Sequence, residues 1–202
     1  MPVLSREEFD AIEFDAAASG DHQTAARRMS KLAVIGTQTH SMPRSEAFLR
    51  AGEQWLMADD PVAAASGFRL AMADGGPVFV DPRVPLARAL FLMDKSAEAQ
   101  SLLDKLKAEG RSDPRMCDLV AELLVERSDL SGALDWATAG VELCLARRRG
   151  GDPAAQSRPG GDAMDASDDA EPELRLLLSL RYRIRNDLGL PEDSYDALLD
   201  DA

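Results

Sequence analysis

The chain has 202 residues, of which 45% are hydrophobic and only 5% aromatic, and its formal net charge is −13. Alanine and leucine dominate the apolar content, which favours helices, because sheets rely more on β-branched and aromatic side chains. The negative charge repels nucleic-acid phosphates and anionic membrane surfaces, so neither is expected as a partner. A protein or peptide partner, and a basic one in particular, fits this charge better.

The N-terminal residues and the two cysteines indicate the expected location and thiol chemistry. Residues 1–8 carry neither a basic start nor an apolar stretch of signal-peptide length, and no apolar run is long enough to cross a membrane. Cys117 and Cys144 lie outside any CxxC pattern and have no neighbouring histidine. We therefore expect two buried thiols, no disulfide framework, no metal and no cofactor. The expected location is the cytoplasm.

Helical periodicity dominates the chain from residue 5 to about 149, with short breaks rich in Gly, Asp and Pro. The predicted helices are 5–18, 22–35, 45–58, 61–73, 83–94, 97–108, 114–127 and 130–149. Four residues stand where a side-chain oxygen can accept the first free N–H groups of a helix. These predicted N-caps are Asp21, Asp60, Ser96 and Asp129.

The eight helices form pairs, and an alanine recurs early in the second helix of each pair. Ala25, Ala64, Ala99 and Ala133 stand 39, 35 and 34 residues apart. The second pair shows an ordered pattern of bulky and small residues: Phe48, Ala51, Gly52, Trp55, Ala64, Phe68 and Ala71. A period near 34 residues built from two helices with this pattern resembles the tetratricopeptide repeat.

The resemblance implies an all-α, right-handed α-solenoid of about four helix pairs over residues 1–149, closed by a C-terminal capping helix. Each pair would cover the apolar face of the preceding pair. Glu13 departs from the repeat pattern at a small-residue position, and Arg83 departs at a bulky one. A non-repeating helical bundle is the alternative fold.

The chain changes character after the eighth helix. Residues 150–171 are rich in Gly and Pro and acidic at their far end, which predicts a flexible linker. The segment 172–190 would cap the repeat domain with a helix over about 172–188, and Gly189 with Pro191 would end this helix. Residues 191–202 form an acidic tail. We expect this tail to fold back on the basic side chains of the capping helix: Arg175, Arg181, Arg183 and Arg185.

The resemblance also implies a partner-binding groove lined by the first helix of each pair. The residues at the family's groove positions are Phe14, Glu46, Leu49, Glu53, Leu56, Met57, Val84, Arg88, Phe91, Leu92, Asp118 and Glu122. This groove would be apolar at its centre and acidic at its ends, which suits a basic peptide or amphipathic helix. It lacks the cationic clamp with which some family members hold a terminal carboxylate.

Catalysis has little support in the sequence. His22 and His40 are the only histidines, and no nucleophile with an acid partner recurs near either one. The leading hypothesis is therefore a non-catalytic protein-interaction scaffold that binds a peptide or helix in its groove. The alternative is a homo-oligomeric structural or regulatory protein that uses the groove or the convex face for self-association.

Overall fold

A computed structural model describes residues 2–110, 113–150 and 170–199, and most of these residues are helical. Outside the helices, a parallel bridge between Val3 and Thr37 joins the N-terminal residues to the end of the second helix. The helices are α1 (Arg6–Ser19), α2 (His22–Ile35), α3 (Arg44–Met57), α4 (Pro61–Asp74), α5 (Arg83–Leu92), α6 (Ser96–Glu109), α7 (Pro114–Glu126), α8 (Leu130–Gly150) and α9 (Ala170–Asp187), and a 3₁₀ turn follows at Asp196–Leu199.

The predicted all-α class is confirmed, and each of the first eight helices lies within two residues of its predicted bounds. The largest difference is at the end of α5, which stops at Leu92 and not at residue 94. Asp94 adopts a left-handed backbone conformation, with φ of 59°, and this conformation ends the helix.

Three of the four predicted N-caps are confirmed. The carboxylates of Asp21, Asp60 and Asp129 accept backbone N–H groups of the following turn over 3.0, 2.9 and 2.9 Å. The fourth prediction is wrong, because Ser96 is already the first helical residue of α6. The carbonyl of Lys95 there accepts the N–H of Ala99 over 3.1 Å, so the cap position falls one residue earlier.

The turn between paired helices has the same geometry in the second, third and fourth pairs, whereas Gly20, with φ of 75°, ends the first helix of the first pair. Asp59, Asp94 and Ser128 have φ values of 58°, 59° and 61°. The N–H of the residue after each one donates to a carbonyl five positions back, over 2.9 Å in all three cases: Asp60 to Trp55, Lys95 to Leu90, and Asp129 to Leu124. Each of these hydrogen bonds satisfies a carbonyl that would otherwise have no partner at the end of the helix. The sequence period therefore corresponds to a repeated local structure.

The chain divides into two compact units, Met1–Lys105 and Leu106–Ala202, and the division falls inside α6. In the first unit, consecutive helices from α1 to α5 pack against each other. The backbones of α3 and α4 approach closely at Gly52 and Gly67: a methyl group added at Gly67 would lie 3.2 Å from the Cα of Gly52. The ring of Phe68 fills the remaining space beside Gly52, and it is fully buried.

In the second unit, α8 packs against α7 and α9, and α9 also contacts α7. Cys144 of α8 belongs to a buried cluster with Leu177 of α9, and the other buried members are Val141, Leu174 and Leu178. Cys117 and Cys144 are both buried free thiols. Burial of the Cys144 thiol, with a smaller effect of Glu173, raises its pKa to about 11. The predicted linker over 150–171 lies almost wholly outside the described residues.

Candidate functional site

The predicted groove residues differ widely in exposure. Leu49, Val84 and Phe91 are buried in the core of the first unit, where they offer little surface to a ligand. Leu56 and Arg88 are half-buried. Phe14, Met57 and Leu92 are well exposed, with 75%, 61% and 59% of their surface accessible. At the predicted groove positions, the apolar side chains most accessible to a ligand are therefore Phe14, Met57 and Leu92.

One face of α3 carries a stripe of charged side chains that ends in an exposed apolar one. Glu46, Arg50, Glu53 and Met57 are spaced four, three and four residues apart, which places them on the same side of the helix. Arg50 was not among the predicted groove residues, although it lies between Glu46 and Glu53 on this side. The N–H of Phe79 donates to the carboxylate of Glu46 over 2.9 Å and joins the loop after α4 to the stripe.

Arg50 connects this stripe to α1. Its guanidinium donates to both carboxylate oxygens of Glu13, over 2.8 and 2.5 Å, and to Asp10 over 2.6 Å. The guanidinium carbon also lies 5.6 Å from the ring centroid of Phe9. Burial of the guanidinium opposes its charged form, but the hydrogen bonds with Glu13 and Asp10 outweigh burial and raise the pKa of Arg50. Glu13, which departs from the repeat pattern, thus has a defined role in joining two helices.

Glu53 lies on this face without an ion-pair partner of its own in the part of the chain that the structure describes. Burial raises its pKa to about 7, and the nearby charges of Glu13 and Glu46 act in the same direction, whereas Arg50 opposes them. Among the described residues, Glu53 forms neither a hydrogen bond nor an ion pair. We call Asp10, Glu13, Glu46, Arg50 and Glu53 the acidic face of the first unit. It carries four carboxylic side chains and one guanidinium.

The two predicted groove residues of the second unit lie on α7. Asp118 is half-buried and Glu122 is exposed. Burial raises the pKa of Asp118 to about 6, with further contributions from Glu122 and Glu173 and an opposing one from Arg115. The second unit therefore has two acidic residues, Asp118 and Glu122, at the predicted positions.

The side chains considered for catalysis occupy separate positions. Nδ1 of His22 lies 2.9 Å from the amide oxygen of Gln54, which is buried, so this histidine joins α2 to α3. His40 is exposed in the loop before α3. Across the described part of the chain, no group of three or more His, Cys, Asp or Glu side chains is arranged to hold a metal ion. Similarly, no helix in the described ranges combines the length and apolar character needed to span a membrane.

Comparison of the chain with protein-family models, with curated proteins and with solved structures found no match.

Proposed function

We propose that this chain is a non-catalytic interaction protein that binds a basic peptide or helix on the acidic face of its first unit. The observation that carries the proposal is the environment of Glu53. A half-buried carboxylate beside Glu13 and Glu46, with no described partner of its own, is stabilised in its charged form by an incoming cation.

Arg50 indicates which cation suits this face. Two carboxylates hold its guanidinium through three hydrogen bonds, and the ring of Phe9 lies beside it. Planar guanidinium groups form such bidentate contacts with carboxylates better than ammonium groups do. A ligand arginine near Glu53 and Glu46 would add a similar contact on the next turns of α3. We therefore propose an arginine-containing ligand.

Exposed apolar side chains beside the acidic face supply the second element of recognition. Phe14 follows Glu13 directly on α1, and Met57 lies one turn beyond Glu53 on α3. Both are largely exposed. An amphipathic helix with arginines along one edge and leucines along its centre would bury these side chains while its arginines meet the carboxylates. Within the proposal, the tetratricopeptide-like solenoid is the framework that presents this face.

The test is an NMR titration of the full chain with a synthetic amphipathic helix that carries four arginines and a leucine stripe. We expect the largest shifts at residues of α1 and α3, and a Kd at least five-fold weaker for Glu53→Lys. Asp15→Lys is the matched control, because it makes the same charge change at an exposed position of α1 that turns away from Glu13. Equal weakening by both variants would indicate general charge attraction and would overturn the proposed face.

A further inference from the structure

A buried arginine of α9 binds the acidic residues that follow this helix. Arg181 of α9 is 3% exposed. It donates from Nη1 and Nη2 to the two oxygens of Asp193 over 3.0 and 2.5 Å, and from Nη1 to Asp196 over 3.1 Å. Thr138 of α8 fixes the guanidinium from the other side by accepting from Nε over 3.1 Å. Thr138 thus orients the guanidinium so that its two terminal nitrogens face the carboxylates of Asp193 and Asp196.

Arg185 lies one turn further along α9 and contacts the same two carboxylates. Its Nε donates to Asp196 over 3.1 Å, and its Nη1 lies 2.9 Å from Asp193. The ring of Tyr195, between these aspartates, has the guanidinium carbon of Arg181 at 4.7 Å from its centroid. Two cations on consecutive turns of one helix therefore recognise two carboxylates spaced three residues apart, with an aromatic ring between them.

Apolar contacts complete this docking. Tyr195, Leu198 and Leu199 pack against the buried cluster formed by α8 and α9, which includes Cys144 and Leu177. The hydroxyl of Tyr195 donates to Glu142 of α8 over 3.2 Å. We call residues 193–199 the C-terminal segment. Its sequence follows the pattern acidic, any residue, aromatic, acidic, any residue, leucine, leucine. The two unspecified positions are those of Ser194 and Ala197, whose side chains are exposed.

The way in which the C-terminal segment is held distinguishes it from the helices. Its described backbone N–H groups donate within the segment. Asp196 donates to the carbonyl of Asp193 and Leu198 to that of Tyr195, each over 3.1 Å, and the N–H groups of Asp193 and Tyr195 donate to the carboxylates of Asp196 and Asp193 over 2.8 and 2.9 Å. The hydrogen bonds described between the segment and α8 or α9 run from side chain to side chain. Recognition by side chains alone does not require the segment to belong to the same chain.

We propose that the face formed by α8 and α9 around Arg181 and Arg185 is a docking site for a short acidic segment of a partner protein, occupied here by the chain's own C-terminal segment. The partner segment has two carboxylates three residues apart, an aromatic residue before the second carboxylate, and two leucines after it. Charge complementarity with the two arginines and the apolar cluster beside them define this chemistry. The proposal does not depend on the acidic face of the first unit.

The short connection between α9 and the C-terminal segment determines how strongly this segment competes with a partner segment for the same face. Residues 188–192 are the only link, so the segment is present at a high effective concentration beside its own site. A partner segment must exceed this local concentration or hold the protein through a second contact. An isolated acidic peptide therefore competes poorly with the tethered segment, whereas a partner that also binds elsewhere on the protein can displace it.

The experiment opens the site in the full chain with the double variant Asp193→Lys plus Asp196→Lys, whose lysines are repelled by Arg181 and Arg185. The probe is a labelled, end-capped peptide with the sequence of residues 192–199, and binding is followed by fluorescence anisotropy. We expect at least ten-fold tighter binding to the opened variant than to the wild type. A second peptide, Asp-Gly-Phe-Glu-Gln-Leu-Leu, which retains only the pattern, should bind the opened variant within about ten-fold of the first.

Controls separate recognition from misfolding and from general attraction. Circular dichroism checks that the opened variant stays helical, and Leu198→Ser plus Leu199→Ser opens the site in a second way if the first variant unfolds. Both peptides should lose binding when their acidic residues become amides, and when Arg181→Gln is added to the opened variant. A folded, opened variant that binds neither peptide overturns the proposal. Wild-type protein that instead exchanges its segment with a second copy, seen as a dimer by light scattering, also overturns it.

Discussion

The guanidinium of Arg181 donates to the carboxylate of Asp196 over 3.1 Å, and each of the two side chains is only 4% exposed. A pair withdrawn from water in this way is sensitive to the loss of one partner, because the remaining charge keeps its desolvation cost. Asp196→Ala is expected to lower the free energy of unfolding by about 1–3 kcal/mol, limited by the release of the C-terminal segment into water. Urea denaturation of the full chain, followed by circular dichroism, measures this loss.

Asp187→Ala is the matched control for that prediction. Asp187 is an exposed aspartate at the last residue of α9, and the same substitution there removes a carboxylate without opening a buried contact. Its effect should stay within about 0.5 kcal/mol. Equal urea midpoints for the two variants would show that the buried pair contributes no more than a surface charge does.

Asp193 is expected to titrate at an unusually low pH. Hydrogen bonds from Arg181 lower its pKa to about 2, against an opposing effect of burial and with further help from the N–H of Tyr195 and the charge of Arg185. Because the pKa is lower in the folded state than in the unfolded chain, its stabilising effect is complete above about pH 4 and is lost as the pH falls towards 2. NMR titration of the carboxyl carbon measures the pKa directly. Arg181→Met should raise it towards the ordinary value near 3.9, and an unchanged pKa in that variant would contradict the assigned cause.

The helices were predictable because their signals are local. Helical periodicity and capping side chains such as Asp21 and Asp60 act within a few residues, so the sequence alone indicates the bounds of the helices to within about two residues. Burial across helices is different. Leu49 and Val84 occupy groove positions by analogy with a family, but their burial depends on neighbouring side chains that no local pattern specifies. The continuous solenoid over residues 1–149 stays a prediction.

The contacts of Arg50 show the same limit for the candidate site. Arg50 and Glu13 are 37 residues apart in sequence, and their pairing depends on how α1 meets α3. The spacing of Glu46 and Glu53 around Arg50 was nevertheless a usable signal, because all three lie on one side of α3. The fold-back of the tail was predicted from charge alone. The structure places Asp193 and Asp196 on Arg181 and Arg185, whereas Asp200 and Asp201 lie outside the described residues.

The close approach of α3 and α4 gives a prediction about packing. A methyl group at Gly52 would lie 2.5 Å from a ring carbon of Phe68, closer than van der Waals contact permits. The strain of such overpacking, about 1–3 kcal/mol, exceeds the roughly 1 kcal/mol that alanine gains over glycine in a helix. Gly52→Ala should therefore lower the thermal unfolding midpoint. Adding Phe68→Leu to Gly52→Ala should recover part of the loss, and full additivity of the two substitutions would exclude the proposed clash.

Glu53 links the stability of the first unit to pH. Its pKa, raised mainly by burial to about 7, lies above the value of about 4.3 in an unfolded chain, so between these values the folded state binds more protons. Stability therefore falls as the pH rises from about 4 to 7. Glu53→Gln removes the charge and should stabilise the protein by about 1–2 kcal/mol at pH 8, after allowance for partial solvent screening, with almost no effect at pH 4.5. Urea midpoints at the two pH values measure the difference, and Glu7→Gln, at an exposed position in the first turn of α1, is the control for the same substitution at a surface site. A uniform gain at both pH values would mean that the amide improves packing and that the carboxylate of Glu53 carries an ordinary pKa.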